Sequence, residues 1–218
     1  NDVVGNSEAR TFDGVTLQLY HGFDWASMTY SAAYRSFNTV NREDEDGTNR
    51  INLYLDTANV EDNTSYYQEL KFNGMAGPVD WVAGASWYSE DAEQSSFVNT
   101  YTDTIDTIYN NVIGFPLFTV LEGTMQGYGI PATVFGSTWS EPMHNTLKST
   151  AVAAFGDAIW HVTDRLNLTF GLRYTRDEKE FSWFNGPRIA DDLDATLAFL
   201  DSPAAGGFLQ GYYAFLDT

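Results

Sequence analysis

The sequence predicts an all-β protein, an antiparallel up-and-down transmembrane β-barrel of which about six long strands are present. Three observations carry this expectation. Long segments alternate apolar and polar residues with period two, the signature of strands with one apolar and one polar face. The connections between them alternate strictly between short and long, as in barrels with tight turns on one side of a membrane and long loops on the other. No run approaches the ~18 apolar residues of a membrane helix, yet Tyr, Phe and Trp make up 16% of the chain.

The clearest strand is 166–184. Leu166, Leu168, Phe170, Leu172 and Tyr174 take one parity, and Asn167, Thr169, Gly171, Arg173 and Thr175 the other. Period two alone fits a soluble sandwich as well as a membrane barrel, so the remaining segments decide. The others are read at 14–21, 25–39, 65–75, 79–92 and 147–161. In 25–39, Met28, Tyr30, Ala32 and Tyr34 oppose Thr29, Ser31 and Arg35; in 65–75, Leu70 and Phe72 oppose Glu69, Lys71 and Asn73. In 79–92, Trp81, Ala83, Ala85 and Trp87 oppose Asp80, Gly84, Ser86 and Glu90. Segment 147–161 is less regular, with Val152, Gly156, Ala158 and Trp160 facing out and Phe155, Asp157 and Ile159 in. Small Ala residues suit a face against fluid lipid better than a close-packed core.

The short connections carry turn chemistry: Gly22-Phe23-Asp24, Ala76-Gly77-Pro78 and Val162-Thr163-Asp164-Arg165. The long ones are 40–64, 93–146 and 185–218, lengths that compact soluble domains seldom leave as loops. Short turns belong on the periplasmic side and long loops outside. Trp25, Trp81 and Trp160 each stand beside a short turn, where an interfacial aromatic girdle against outer-membrane lipid is expected.

The totals exclude several functions. A net charge of −19 opposes nucleic-acid binding. With no cysteine there is neither a disulfide framework nor a thiolate metal site. Segment 41–49, NREDEDGTN, fails as an EF-hand because Arg42 and Leu53 stand where the first and last carboxylates belong. It reads as a solvated acidic loop. His21, His144 and His161 have no zinc-ligand spacing. No nucleophile elbow or phosphate-binding glycine loop occurs, so we expect no enzyme, cofactor or metal centre.

Three stretches resemble a known family. AVAAFGDAIWHVTDRLNLTFGLRYTRDEKEF (151–181) is similar to the repeated hairpin of TonB-dependent outer-membrane receptors. YYQELKFNGMAGPVDWVAGASWYSEDA (66–92) resembles another hairpin of that family, and DWASMTYSAAYRSF (24–37) is a weaker third match. The resemblance implies a 22-stranded barrel plugged by an N-terminal domain, located in the bacterial outer membrane. Such receptors import siderophore-iron, cobalamin, haem or carbohydrate with energy relayed by the TonB complex. Six strands, with no plug and no TonB box, make residues 1–218 a single segment from the middle of such a barrel. Two other readings stand beside it: a small structural or adhesive outer-membrane barrel, and a secreted all-β carbohydrate-binding domain.

Candidate site residues follow from parity and loops. Arg35, Glu69, Lys71, Asp157 and Arg173 are expected to face the lumen, where charges pair with a plug, with one another or with ligand. Loop 93–146 is too apolar for a freely solvated connection, and offers Phe115, Phe118, Tyr128 and Phe135, with His144, to a ligand or partner, unless it packs on itself. The long connections hold 17 of the 30 acidic residues. An acidic mouth disfavours strongly anionic ligands and leaves room for carbohydrates or neutral metal chelates. FLQGYYAFLDT (208–218) is either loop packing or the start of a further strand.

Overall fold

A computed structural model describes residue 3 and residues 6–206; the segment 208–218 lies outside the described residues. Six strands form one antiparallel sheet in which every neighbour in space is a neighbour in sequence. They are β1 (Ser7–Gly22), β2 (Ser27–Asp44), β3 (Leu55–Ala76), β4 (Val79–Tyr101), β5 (Thr138–Thr163) and β6 (Leu166–Asn185). No second sheet covers either face among the described residues, and the sheet is not closed.

The register explains the period-two pattern. Leu19 pairs with Tyr30, Tyr30 with Leu70, Leu70 with Ala85, Ala85 with Ala154 and Ala154 with Tyr174. One row of paired residues therefore crosses all six strands on the apolar parity. The adjacent row, Gln18–Ser31–Glu69–Ser86–Ala153–Thr175, belongs wholly to the other parity. A one-residue slip at any pair would have mixed the faces. The apolar face stays uncovered: Phe170 is 62% and Leu172 81% exposed. Leaving such a side chain in water forfeits roughly 1.5–3 kcal/mol, so this face calls for lipid.

The strands are longer than the sequence pattern suggests, at up to 26 residues. The connections expected at 40–64 and 93–146 shrink to 45–54 and 102–137, because β2 to β5 run on above the apolar band. There both faces are polar, so hydropathy periodicity vanishes while the ladder continues. Cross-strand hydrogen bonds hold these ends together: Asn38 to Asp62, Asn63 to Glu90 and Ser96 to Asn59, each 2.7 Å. At the opposite end the turns are tight. Gly77 takes a φ of 58°, the positive value that a mirror-image two-residue hairpin needs at its first central position.

Three α-helices among the described residues, which the strand pattern does not anticipate, cap the long-loop end: α1 (Thr102–Ile113), α2 (Leu117–Gly127) and α3 (Asp191–Asp201). Apolar residues recur at helical spacing in each, as Leu193, Leu197 and Leu200 do in α3. Gly114 ends α1 in the left-handed conformation, φ 72°, and Pro116 precedes α2. The principal buried apolar cluster lies here rather than on the sheet. Leu117, Phe118, Leu121 and Met125 of α2 meet Leu193, Leu197 and Leu200 of α3.

Candidate functional site

The register places the five charged candidates on four rows of the polar face. Arg35 shares a row with Ser65, Glu90, Ser149 and Lys179, and Glu69 lies nearer the turns. Lys71 and Arg173 share the next row, separated by Gly84 and Phe155, and Asp157 follows below. Among the described residues none of the five forms an ion pair with another. Glu69 accepts from the Tyr67 hydroxyl at 2.8 Å, and Arg173 lies 5.6 Å from the Phe155 ring centroid. Arg35, Ser65, Tyr67, Tyr88 and Ala33 enclose a depression of about 280 Å³ on this face. The polar face is thus charged and aromatic at this level.

At the short-turn end the aromatics converge. Trp25, in the β1–β2 turn, stacks on Phe72 at 6.1 Å and on Trp81 at 6.2 Å, with Phe23 at 5.7 Å on it as well. Gly74 leaves room for this: a Cβ there would lie 2.7 Å from the Trp25 carbonyl oxygen. Trp160 stands on the same face and is exposed. A second aromatic set, absent from the sequence-based expectation, stands at the opposite edge of the apolar band. Tyr34 and Tyr66 lie 5.2 Å apart there, with Trp87 and Tyr174 on the same face. Its signal is present in the sequence, because these residues end the apolar parity of their strands on the loop side.

The loop candidates separate. Phe118 is fully buried in the helical core, and Phe135 packs against that core. Phe115 and Tyr128 are exposed. His144 lies not in a loop but on β5, on the apolar-parity face above the band, where its Nδ1 is 3.2 Å from Ser95 Oγ and its Nε2 3.6 Å from Glu93. Much of the acidity is structural. Asp106 of α1 accepts the backbone N–H of Phe118 and Thr119 at the start of α2, at 2.6 and 3.1 Å. Asp103 accepts from Gly136 N–H and Glu122 from Val134 N–H. In segment 41–49, Asp44 and Asp46 are occupied by backbone N–H donors of Asp46, Gly47, Thr48 and Leu55. Hydrogen bonds to Thr48 hold the Asp46 carboxyl below the ordinary range. No metal-ligating cluster occurs among the described residues.

A buried polar hub joins the loop ends of β2, β3 and β4. Asp56, fully buried, accepts from Arg42 at 2.7 Å, Tyr54 at 2.5 Å and Asn99 at 2.6 Å. Burial pushes its carboxyl up, but these three donors outweigh it and leave the carboxyl below its usual value. The same burial drives the Tyr54 hydroxyl well above the ordinary tyrosine range. Arg42 and Asn99 reach Asp56 through the register of β2 and β4 against β3, which the sequence pattern does not mark. The hub anchors the base of the helical cap, where Thr100 and Thr104 donate to the Tyr54 carbonyl at 2.8 and 3.1 Å.

Comparison with known proteins agrees with this geometry. Residues 1–207 match the family model described as TonB dependent receptor-like, β-barrel. Among solved structures the chain is similar to FyuA, the ferric yersiniabactin uptake receptor from Yersinia pestis, with a TM-score of 0.55 and 16% identity. That likeness covers 82% of this chain and 22% of the FyuA chain. No curated protein matches in sequence.

Proposed function

The chain belongs to the TonB-dependent receptor β-barrel family, and from that premise we propose that it is a segment of an outer-membrane receptor that imports a scarce nutrient. The observation that carries this reading is the register. It gathers the apolar parity of all six strands onto one uncovered face and Arg35, Glu69, Lys71, Asp157 and Arg173 onto the other. The apolar face meets outer-membrane lipid between the two aromatic sets, and the charged face lines a lumen. Transport needs further strands, a plug and a TonB-complex contact in addition to these six strands.

The nutrient belongs to the siderophore-iron, cobalamin, haem or carbohydrate classes. The solved neighbour is a ferric-siderophore receptor, which favours a ferric chelate. The acidic cap of this chain favours a neutral or cationic one. The test is uptake of radiolabelled ferric chelates, cobalamin, haem and oligosaccharides by cells with and without the native polypeptide, each with the proton-motive force intact and collapsed. Energy-dependent uptake of one class is the expected result; uptake indifferent to the polypeptide across all classes sinks the proposal. The intact mass of the detergent-extracted polypeptide is a second check. A value several-fold above 24.4 kDa supports the segment reading, and one near 24.4 kDa removes it.

A further inference from the structure

Between α1 and the polar-face residues at the loop end of β3, β4 and β5 lies a cavity of about 330 Å³. Two rows of the sheet make its floor. Leu55 pairs with Thr100 and Thr100 with Trp139, and in another row Val98 pairs with Glu141. Ile105 and Ile108 of α1 form its roof, and the buried Phe118 backs it. These residues continue the parity of Arg35 and Glu69, so the cavity stands on the lumen side of the sheet, above the barrel wall.

Its chemistry is selective. The Thr100 hydroxyl is already committed to the Tyr54 carbonyl. Among the described residues Glu141 is the one charged side chain lining the cavity, and it accepts from Trp139 Nε1 at 2.6 Å, which fixes the indole as a flat wall. Arg188 packs over the same indole at 4.7 Å with its Nη2 on Asp194 at 2.6 Å, and it does not line the cavity. No Lys or Arg occurs between Lys71 and Lys148. An anion entering the cavity would meet a carboxylate and no lining cation, whereas an uncharged or cationic ring meets apolar walls. A dry cavity of about 150 Å³ lined by Leu, Ile and Phe holds one benzene, so this one has room for about two rings. We propose that the cavity is a subsite for an apolar, uncharged or cationic ring of the imported ligand, an assignment that rests on the uptake reading above.

The experiment uses the full-length receptor in lipid nanodiscs and three probes that share one ring system: 2-naphthylmethanol, 2-naphthylmethylamine and 2-naphthoate. Titration followed by saturation-transfer NMR should show saturable binding of the alcohol and the amine and none of the carboxylate. Val98→Trp fills the cavity and should weaken binding tenfold or more. Ile108→Trp does the same from an exposed helical position, where folding is least at risk. Glu141→Gln should abolish the advantage of the amine over the alcohol while leaving the alcohol bound. Unchanged binding in both tryptophan variants, with native circular dichroism, overturns the proposal, as does naphthoate binding as tightly as the amine. Nutrient uptake by the same variants separates the two readings. Intact uptake by an Ile108→Trp receptor that no longer takes the probes removes the cavity's role as a subsite and leaves transport standing. Probe binding by a receptor that supports no uptake removes transport instead.

Discussion

The ring of Phe155 lies over Gly84 on the neighbouring strand, so close that a Cβ at residue 84 would stand 2.6 Å from its Cζ and 2.8 Å from the Leu70 carbonyl oxygen. Gly84 thus seats an aromatic ring on the polar face, in the row that also carries Lys71 and Arg173. Gly84→Ala should destabilise the barrel by about 1–3 kcal/mol, the usual range for overpacking. The check is a lower urea midpoint for the refolded protein in lipid vesicles. Adding Phe155→Ala should recover part of the loss and not all of it, because the Leu70 carbonyl remains in the way.

The Asp56 hub sets an acid limit on the loop end. Its carboxyl is held below the ordinary value, so the ionised form is the one bound by Arg42, Tyr54 and Asn99. A depressed folded-state value contributes stability that is full above the unfolded carboxylate range, about pH 4, and is lost as pH falls through the folded value. Protease cleavage within 45–54 should therefore be flat from pH 8 to about pH 5 and rise in more acidic buffer. Asp56→Asn should remove the pH step and raise cleavage at neutral pH. Arg42 is about one-third exposed, so its loss should cost about 1.5–3 kcal/mol, the range for a charged hydrogen bond.

Asp106 acts as a borrowed N-cap for α2. Its carboxylate takes the N–H groups of Phe118 and Thr119 and also the Thr119 hydroxyl at 2.6 Å, and no side chain at the helix's own N-cap, Pro116, does so. Asp106→Ala leaves these donors unpaired and should loosen the cap by about 1–2 kcal/mol. Hydrogen exchange should quicken in α2 and in the α3 residues packed on it, while amides of β2 to β5 within the apolar band keep their protection.

How much of this is legible in the sequence depends on where hydropathy carries information. Inside the band, lipid on one side and a polar lumen on the other force alternation. The parities around Met28, Leu70, Trp81 and Leu168 therefore predict the register's two faces. Above the band water lies on both sides, so nothing in Val40–Asp44 or Gln94–Tyr101 marks them as strand; their pairing rests on backbone ladders and on contacts such as Asn145 with Gln94. The apolar runs of 93–146 are visible, but Ile105, Ile108 and Tyr109 become a helical face only because Asp106, Gly114 and Pro116 start and stop the helices around them. The hub at Asp56 depends on register, which brings Arg42 and Asn99, 14 and 43 positions away, onto one carboxylate.

Ala85 and Ser86 are adjacent in sequence and stand on opposite faces of β4: Ala85 pairs with Leu70 and Ala154 in the apolar row, and Ser86 with Glu69 and Ala153 in the polar row. A charge at the first must enter hydrocarbon, and a charge at the second meets a hydrated or protein-filled lumen. Ala85→Arg should therefore cost about 2–4 kcal/mol near the bilayer midplane, with Ser86→Arg costing far less. Both variants carry the same side chain on the same strand, so propensity and net charge cancel in the comparison. Urea unfolding in vesicles of defined thickness reads the difference directly. Equal costs would mean that the face of Leu70 and Ala154 does not lie against lipid, and the membrane assignment of the whole sheet would fall with it.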